Sequence, residues 1–402
     1  MTPNIAPIHI SWTNGKESVI ILFSSLPLPI LLVIFVVGAS AVWVAGIQLS
    51  NTTDVLSSRF GFGEALGGLL FLAITTNLPE IAITTSAALT HNLGIAIGNI
   101  LGGIGIQTVV LVVLDAFGLG SESAFTYRAA SLELVLEGVL VVAVLIVSIM
   151  STQFPSWLYF ARISPGSLLI AILWIVGLLL LRKARTDLPW QDKGRAPGRV
   201  NSSAEPTKSD KGQNGQDGKS DKKQGGQNAK STTKDKQQNE RNKQENTARA
   251  IIVFVIASIV TLIAGVSLEL SGDAISKDIG LSGVLFGATF LAAATALPEL
   301  STGLESVKIR DYELAMSDIF GGNAFLPVLF LLADILSGEA VLPQAHNSDI
   351  YLAGLGILLT TVYIYGLIFR PRRQILRMGI DSLVVLILYV LGMVGLIALA
   401  HK

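Results

Sequence analysis

The sequence has no cysteine. That excludes a disulfide framework, a thiolate metal site and a cysteine nucleophile. Histidine is nearly as scarce, and the four residues at positions 9, 91, 346 and 401 include no pair at metal-ligand spacing. Charge is the third shortage. Only 14% of the 402 residues are charged, against roughly a quarter in an ordinary soluble domain, so a conventional soluble fold is excluded. The 29 bases and 29 acids cancel, and a chain with no positive excess is expected to have no nucleic-acid partner. Apolar residues take their place: 51% of the chain is hydrophobic and the mean hydropathy is +0.60.

The few charges are unevenly spread. Residues 183–248 hold 15 of the bases and 9 of the acids, a net of +6, and two long apolar blocks flank them. Hydrocarbon about 30 Å thick is crossed by roughly 20 apolar residues in a helix. Ten stretches qualify: Leu28–Leu49, Ala65–Leu89, Gly94–Phe117, Ala129–Met150, Pro165–Leu181, Arg249–Leu270, Leu281–Val307, Glu313–Leu336, Asp349–Phe369 and Gly379–Ala400. The expected fold is an all-α polytopic membrane protein. Met1–Leu26 has no basic run ahead of a short apolar core, so the first span is expected to be retained.

Lys and Arg near the span ends orient such a chain. Eleven, from Arg59 to Arg377, fall in the odd-numbered loops, whereas the other side has Lys16, Arg162, Lys277 and Lys402. Both termini are therefore expected outside, with the polar block in the cytoplasm and the whole in the cell (inner) membrane. Residues 183–248 are rich in Gly, Gln, Asn, Ser, Asp and Lys and cannot bury a core. They are expected to form a disordered linker between residues 1–182 and 249–402.

Sliding the chain against itself finds one gap-free offset, 219 residues. It lays Thr76 on Thr295, Leu78-Pro79-Glu80 on Leu297-Pro298-Glu299, Gly102-Gly103 on Gly321-Gly322 and Asp115 on Asp334. Between Gly61 and Asp115, 16 of 55 positions are identical. The same offset carries each of the first five spans onto one of the last five. An odd number of spans per repeat turns the second half upside down, so the expectation is ten transmembrane helices as two inverted five-helix repeats. That architecture belongs to transporters, with the site near the midplane where the halves meet.

Acids lie inside spans that hold no base. Glu80 falls 15 residues after Ala65, and Glu299 falls 18 after Leu281. An isolated carboxylate at that depth is costly unless it faces a cavity, a partner or a cation. With no Lys or Arg in the second, third, seventh or eighth span, a cation is the natural counter-charge. Each Glu follows a proline, which removes a backbone donor and frees carbonyls one turn upstream, near Thr76 and Thr295. Carboxylates, hydroxyls and bare carbonyls form a hard oxygen site suited to Ca2+. The third and eighth spans add Gly98-Asn99-Ile100-Leu101-Gly102-Gly103 and Ser317-Asp318-Ile319-Phe320-Gly321-Gly322-Asn323. Asn99 and Asp318 are equivalent by the offset, and either line the cavity or wet the interface at the span ends. Asp115 and Asp334, in the last turns of their spans, read as interfacial. Glu133 and Glu137 share a helix face, have no acidic counterparts by the offset, and suit a proton relay, a cytoplasmic vestibule or packing against neighbouring helices.

At these residues the chain resembles the calcium/cation antiporter superfamily, which includes the sodium/calcium exchangers. That family has two inverted five-helix repeats, each with a Thr-Ser-x-Pro-Glu-like motif and a later Gly-Asn-x-x-Gly-Ser-Asn-like motif. Here the first reads Thr76-Asn77-Leu78-Pro79-Glu80 and Thr295-Ala296-Leu297-Pro298-Glu299; the second reads Gly98 to Ile104 and Ser317 to Asn323. The resemblance implies a Ca2+ site on Glu80, Glu299, Thr76 and Thr295; Asn77, Asn99 and Asp318 are further candidate ligands on the reading of the residues themselves. Where sodium-coupled members place Na+-binding oxygens, this chain has Asn77 and Ala296, Gly103 and Gly322, then Gln107 and Leu326. Asn at position 77 is similar to proton-coupled branches.

The sequence therefore reads as a secondary antiporter, not an enzyme, that moves Ca2+ or another divalent cation in exchange for H+ or Na+. Its expected partners are inorganic cations and the bilayer, and it needs no cofactor. Rival readings are a cation-selective channel, a cation-sensing membrane protein that does not transport, and an intramembrane hydrolase using Asp115 and Asp334.

Overall fold

A computed structural model describes residues 21–59, 74–118, 123–155, 157–160, 162–187 and 228–400. The first half contains α1 (Leu28–Arg59), α2 (Leu78–Leu89), α3 (Leu93–Val113, extended by a π turn Leu114–Gly118), α4 (Phe125–Ala129), α5 (Leu132–Ser151) and α6 (Pro165–Asp187). The second contains α7 (Asn228–Asp278), α8 (Gly283–Phe286), a π turn (Gly287–Leu291), α9 (Ala292–Thr295) and α10 (Leu297–Lys308). It continues with α11 (Tyr312–Phe325), α12 (Leu329–Ser337), α13 (Asn347–Phe369), a two-residue hairpin of β1 (Gln374–Ile375) and β2 (Met378–Gly379), and α14 (Ile380–Ala400).

Among the described residues, eight helices are long and apolar enough to cross a membrane, or nine if the bent pair Gly283–Thr295 and Leu297–Lys308 is one span. The expected second span begins at residue 65, outside the described residues; its described part is one helical turn from Ile74, a turn at Asn77 and the 12-residue α2. The protein is an integral membrane protein. Burial separates two classes of helix. In α3 and in the α11–α12 span, 72% and 67% of the apolar window is buried, against 28% in α1, α6 and α7. Helices apolar on every side, with exposed residues such as Val33, Val36, Ile252 and Ile259, face lipid at the periphery, while α3 and α11 form the centre.

The 219-residue offset reappears in the backbone. Residues 78 and 89 bound α2, and 297 and 308 bound α10; α3 starts at 93 and α11 at 312; α1 ends at 59 and α7 at 278. His91 and Arg310, also 219 apart, both turn the chain at positive φ, 58° and 63°. Local sequence explains several ends. Ser131 caps α5 by accepting from Leu134 N at 3.2 Å, and Asp311 caps α11 by accepting from Leu314 N at 3.0 Å.

Two boundaries differ from the sequence expectation. The helix of the sixth span starts at Asn228, so the last part of the expected linker is helical; residues 188–227 lie outside the described ones. Ala, Lys, Gln, Glu and Arg in 228–248 are good helix formers, and the adjoining apolar span spares them the cost of nucleation. The seventh span is not one straight helix. A π turn precedes a break at Ala296, where the two pieces bend by 41°. Pro298 cannot donate to the carbonyl of Ala294, so the ladder fails there. Asn77, before Pro79, has the matching backbone angles (φ −88°, ψ 15° against −80°, 0°).

Each motif proline packs on a glycine of the opposite half. A Cβ on Gly46 would run into Pro298, and one on Gly265 would lie 2.7 Å from Ala82 Cβ and 3.1 Å from Pro79 O. Trp43 Nε1 also donates to Ser301 Oγ. The long helices α1 and α7 thus brace the broken segments of the other half.

Asp115 and Asp334 do not face the solvent. Both are fully buried, and each carboxylate ties the loop after its own helix to the start of a helix in the other half. Asp115 accepts from Phe125 N at 2.9 Å and Gly379 N at 2.6 Å. Asp334 accepts from Val341 N at 2.8 Å and Ser164 N at 3.2 Å. They serve separate stitches and form no dyad, which removes the ground for a hydrolase. Asparagine at either position turns an NH2 toward a buried N–H, a mismatch of about 1–3 kcal/mol. Asp115→Asn and Asp334→Asn are each expected to lower the melting temperature of the purified protein, read by intrinsic fluorescence.

Candidate cation site

Breaks at Asn77 and Ala296 place Glu80 and Glu299 in the first turns of α2 and α10. Glu80 is 0% and Glu299 2% exposed; the donors that face them are the Thr295 hydroxyl toward Glu80 and a backbone N–H at each helix start, and none of these closes a well-aligned hydrogen bond. Glu299 lies within electrostatic reach of Glu80 and Asp318, and the Thr295 hydroxyl faces Glu80. Among the described residues, no basic group acts on either carboxyl. Glu80 and Asp318 thus lie within electrostatic reach of Glu299, while among the described residues no three acidic or imidazole groups stand close enough to hold a metal ion together; a bound cation would relieve the repulsion between these carboxyls.

The structure brings together most of the residues singled out from sequence. Asp318, 7% exposed, accepts from Thr302 Oγ1 at 3.0 Å. Thr295 is buried and bonds back to Ala292 O at 3.2 Å. Thr76, also buried, ends the helical turn before the Asn77 break. Asn77 meets the other half at Gly322: a Cβ there would lie 3.1 Å from Asn77 Nδ2 and 3.4 Å from Gln107 Oε1. Asn99 is fully buried rather than interfacial. Its backbone N packs against the π turn, 3.0 Å from where a Cβ on Gly287 would stand, and its amide has no partner among the described residues.

Four polar residues enter that the sequence reading left aside. Gln107 is 1% exposed with both amide atoms unpartnered among the described residues, and Asn323 is fully buried, its Nδ2 donating to Thr108 Oγ1 at 3.3 Å. Thr302 reaches Asp318, as above. Glu269, in α7, is 1% exposed and accepts from Ser86 Oγ at 2.7 Å. Its signal was available, because Glu269 is an acid inside the expected span Arg249–Leu270. The equivalent positions of the two halves are unlike in polarity. Gly322 faces the amides of Asn77 and Gln107, whereas a Cβ on Gly103 would meet Leu326 Cδ1 at 3.4 Å.

The profile of the sodium/calcium exchanger protein family matches residues 30–183 and 249–398. The chain belongs to that family. Both matched segments exclude the polar block, and together they contain every residue of the site. Among curated relatives, this exchanger-family chain is 24% identical over 322 residues to the inner membrane protein YrbG of Escherichia coli (strain K12), covering 79% of this chain and 83% of YrbG. Solved structures share its fold. The H+/Ca2+ exchanger CAX superposes with a TM-score of 0.60 at 14% identity, covering 95% of this chain and 88% of CAX. The sodium-calcium exchanger NCX_Mj gives 0.53 at 15% identity, covering 92% and 99%.

Proposed function

We propose that the protein is a secondary antiporter that carries Ca2+, or another hard divalent cation, in exchange for H+, by alternating access around Glu80 and Glu299. The observation that carries this reading is the pair of buried carboxyls, with no basic neighbour among the described residues and with Asp318 within electrostatic reach of Glu299. Asn77, Thr76, Thr295 and Asn99 are proposed to complete an oxygen shell for the divalent ion. A site holding either the divalent ion or protons is close to neutral, and only the near-neutral forms cross the low-dielectric interior cheaply. Exchange follows from that preference.

Protons are the proposed counter-ion because one carboxyl suffices for a proton, whereas Na+ needs several oxygens in place of its water. Gly103, Gly322, Ala296 and Leu326 offer no side-chain oxygen. The chain is proposed to have ten spans in two inverted repeats, with both termini outside and residues 183–248 at the cytoplasmic face of the inner membrane. Helix boundaries 219 residues apart and the basic loops support this placement.

The test is radiolabelled Ca2+ flux in proteoliposomes under separately imposed H+ and Na+ gradients. A pH gradient is expected to drive flux in Na+-free vesicles, and added Na+ to change it little. Strict dependence on a Na+ gradient, with no response to pH, rejects proton coupling.

A further inference from the structure

A ladder of polar side chains, in two separate hydrogen-bonded rungs on adjacent residues of α11, lies between the central carboxyls and one face of the protein. Glu299 interacts with Asp318, which accepts from Thr302 Oγ1 at 3.0 Å. Ser317, the next residue on α11, donates to Glu137 Oε1 at 2.9 Å. Glu137 is 6% exposed, and Glu133, one turn earlier on the same side of α5, is half-buried. The ladder ends where α5 and α11 both begin. There Arg128 donates to Tyr312 OH at 2.9 Å, which marks this as the basic, linker-side face.

The other half has no counterpart. The 219-residue offset carries Ser317 to Gly98, Asp318 to Asn99, Thr302 to Ile83 and Glu137 to Gly356. Ile83 is fully buried. A Cβ on Gly98 would lie 2.5 Å from Val284 O, and one on Gly356 would lie 3.2 Å from both Ile104 Cγ2 and Leu145 Cδ1. Close packing thus fills the positions equivalent to Ser317, Thr302 and Glu137. An acid buried between α5 and α11 is costly in a membrane, and packing alone does not call for it. The ladder also terminates on Glu299, a 2%-exposed carboxyl with no well-aligned hydrogen bond on either oxygen among the described residues.

We propose that Glu137, held in place by Ser317, is a transient binding residue for the divalent cation on its way between the linker-side face and the Glu80–Glu299 centre. The inference rests on the exchange proposed above. A carboxylate at this point draws the cation in and shares its partial dehydration, so it acts on entry from one face and not on the central site itself.

The test measures radiolabelled Ca2+ flux by the full-length protein, reconstituted in both orientations, with Ca2+ offered at the linker-side face or at the opposite one. Absence of flux in the wild type overturns the exchange reading, whatever Glu137 does. Given wild-type flux, Glu137→Gln is expected to slow entry from the linker side about tenfold at low Ca2+ and to raise the half-saturating Ca2+ on that side. Entry from the opposite side is expected to stay within about twofold, the order expected when a group far from that path is changed. Glu137→Asp, which keeps the charge, is expected to recover most of the linker-side rate. Equal losses from both faces, or no loss, overturn the proposal. If Glu137→Gln fails to fold, Ser317→Ala carries the test, because it keeps the carboxyl and removes its support. Slowing confined to the linker side then supports the proposal, and any other pattern overturns it.

Discussion

Glu80→Gln and Glu299→Gln are each expected to abolish divalent-driven exchange while leaving a folded, extractable protein. Both carboxyls lie at the start of short helices that follow a proline break, and neither closes a well-aligned hydrogen bond among the described residues. Glutamine keeps the shape and removes one negative charge from the buried set. Losing one member of a buried charge set costs about 3–5 kcal/mol, a drop in cation affinity of about a hundredfold or more. Since glutamine keeps an oxygen that can accept from the same backbone N–H groups and from the Thr295 hydroxyl, the elution profile of each variant in detergent is expected to match the wild type. Radiolabelled Ca2+ flux alongside that profile separates loss of transport from loss of fold. Near-normal flux in either variant would remove that carboxyl from the mechanism.

Gly102→Val is expected to have the opposite signature, losing the fold before transport can be measured. Gly102 lies in α3 against the π turn of the seventh span, and a Cβ on it would overlap the Cα and Cβ of Ala288. The obstacle is backbone, so no side-chain rotation relieves it. Forcing bulk into such a contact costs about 3 kcal/mol, and here it separates the helix carrying Asn99 and Gln107 from the segment leading to Glu299. Gly105→Ala, three residues on, is the control. Its Cβ would meet the Tyr389 ring at 3.4 Å, an ordinary contact. Thermal unfolding in detergent is expected to show Gly105→Ala close to wild type and Gly102→Val strongly destabilised or aggregated. Equal stability of the two variants would contradict the close approach of α3 to the seventh span.

Much of the fold was legible because membrane insertion is written in composition. Runs of about 20 apolar residues have few alternatives, and the described span ends fall within a few residues of the expected ones, apart from those of the first helix, which runs on to Arg59, and of the sixth. The Pro-Glu motifs were legible too, since a proline breaks the ladder wherever it falls in a helix; the bend at Ala296 is that effect. The helical extension from Asn228 was missed because a polar composition suggests disorder only in isolation, and here an apolar helix is already formed beside it.

Composition, the 219-residue offset and the paired motifs by themselves determined that this is a membrane protein of the exchanger kind, with a Pro-Glu pair in each half. Those are properties of local spacing and of transfer into lipid, and they need no knowledge of contacts. Only the tertiary structure decided which polar groups converge. Asn77 and Gln107 meet at Gly322, Asp318 stands beside Glu299, Ser317 holds Glu137, and Asp115 and Asp334 turn inward to backbone amides. The physical reason is that a helix apolar on all sides has no hydrophobic face to set its rotation. Which side turns inward is settled by close packing at glycines and prolines from the opposite half, across separations that no sequence periodicity records.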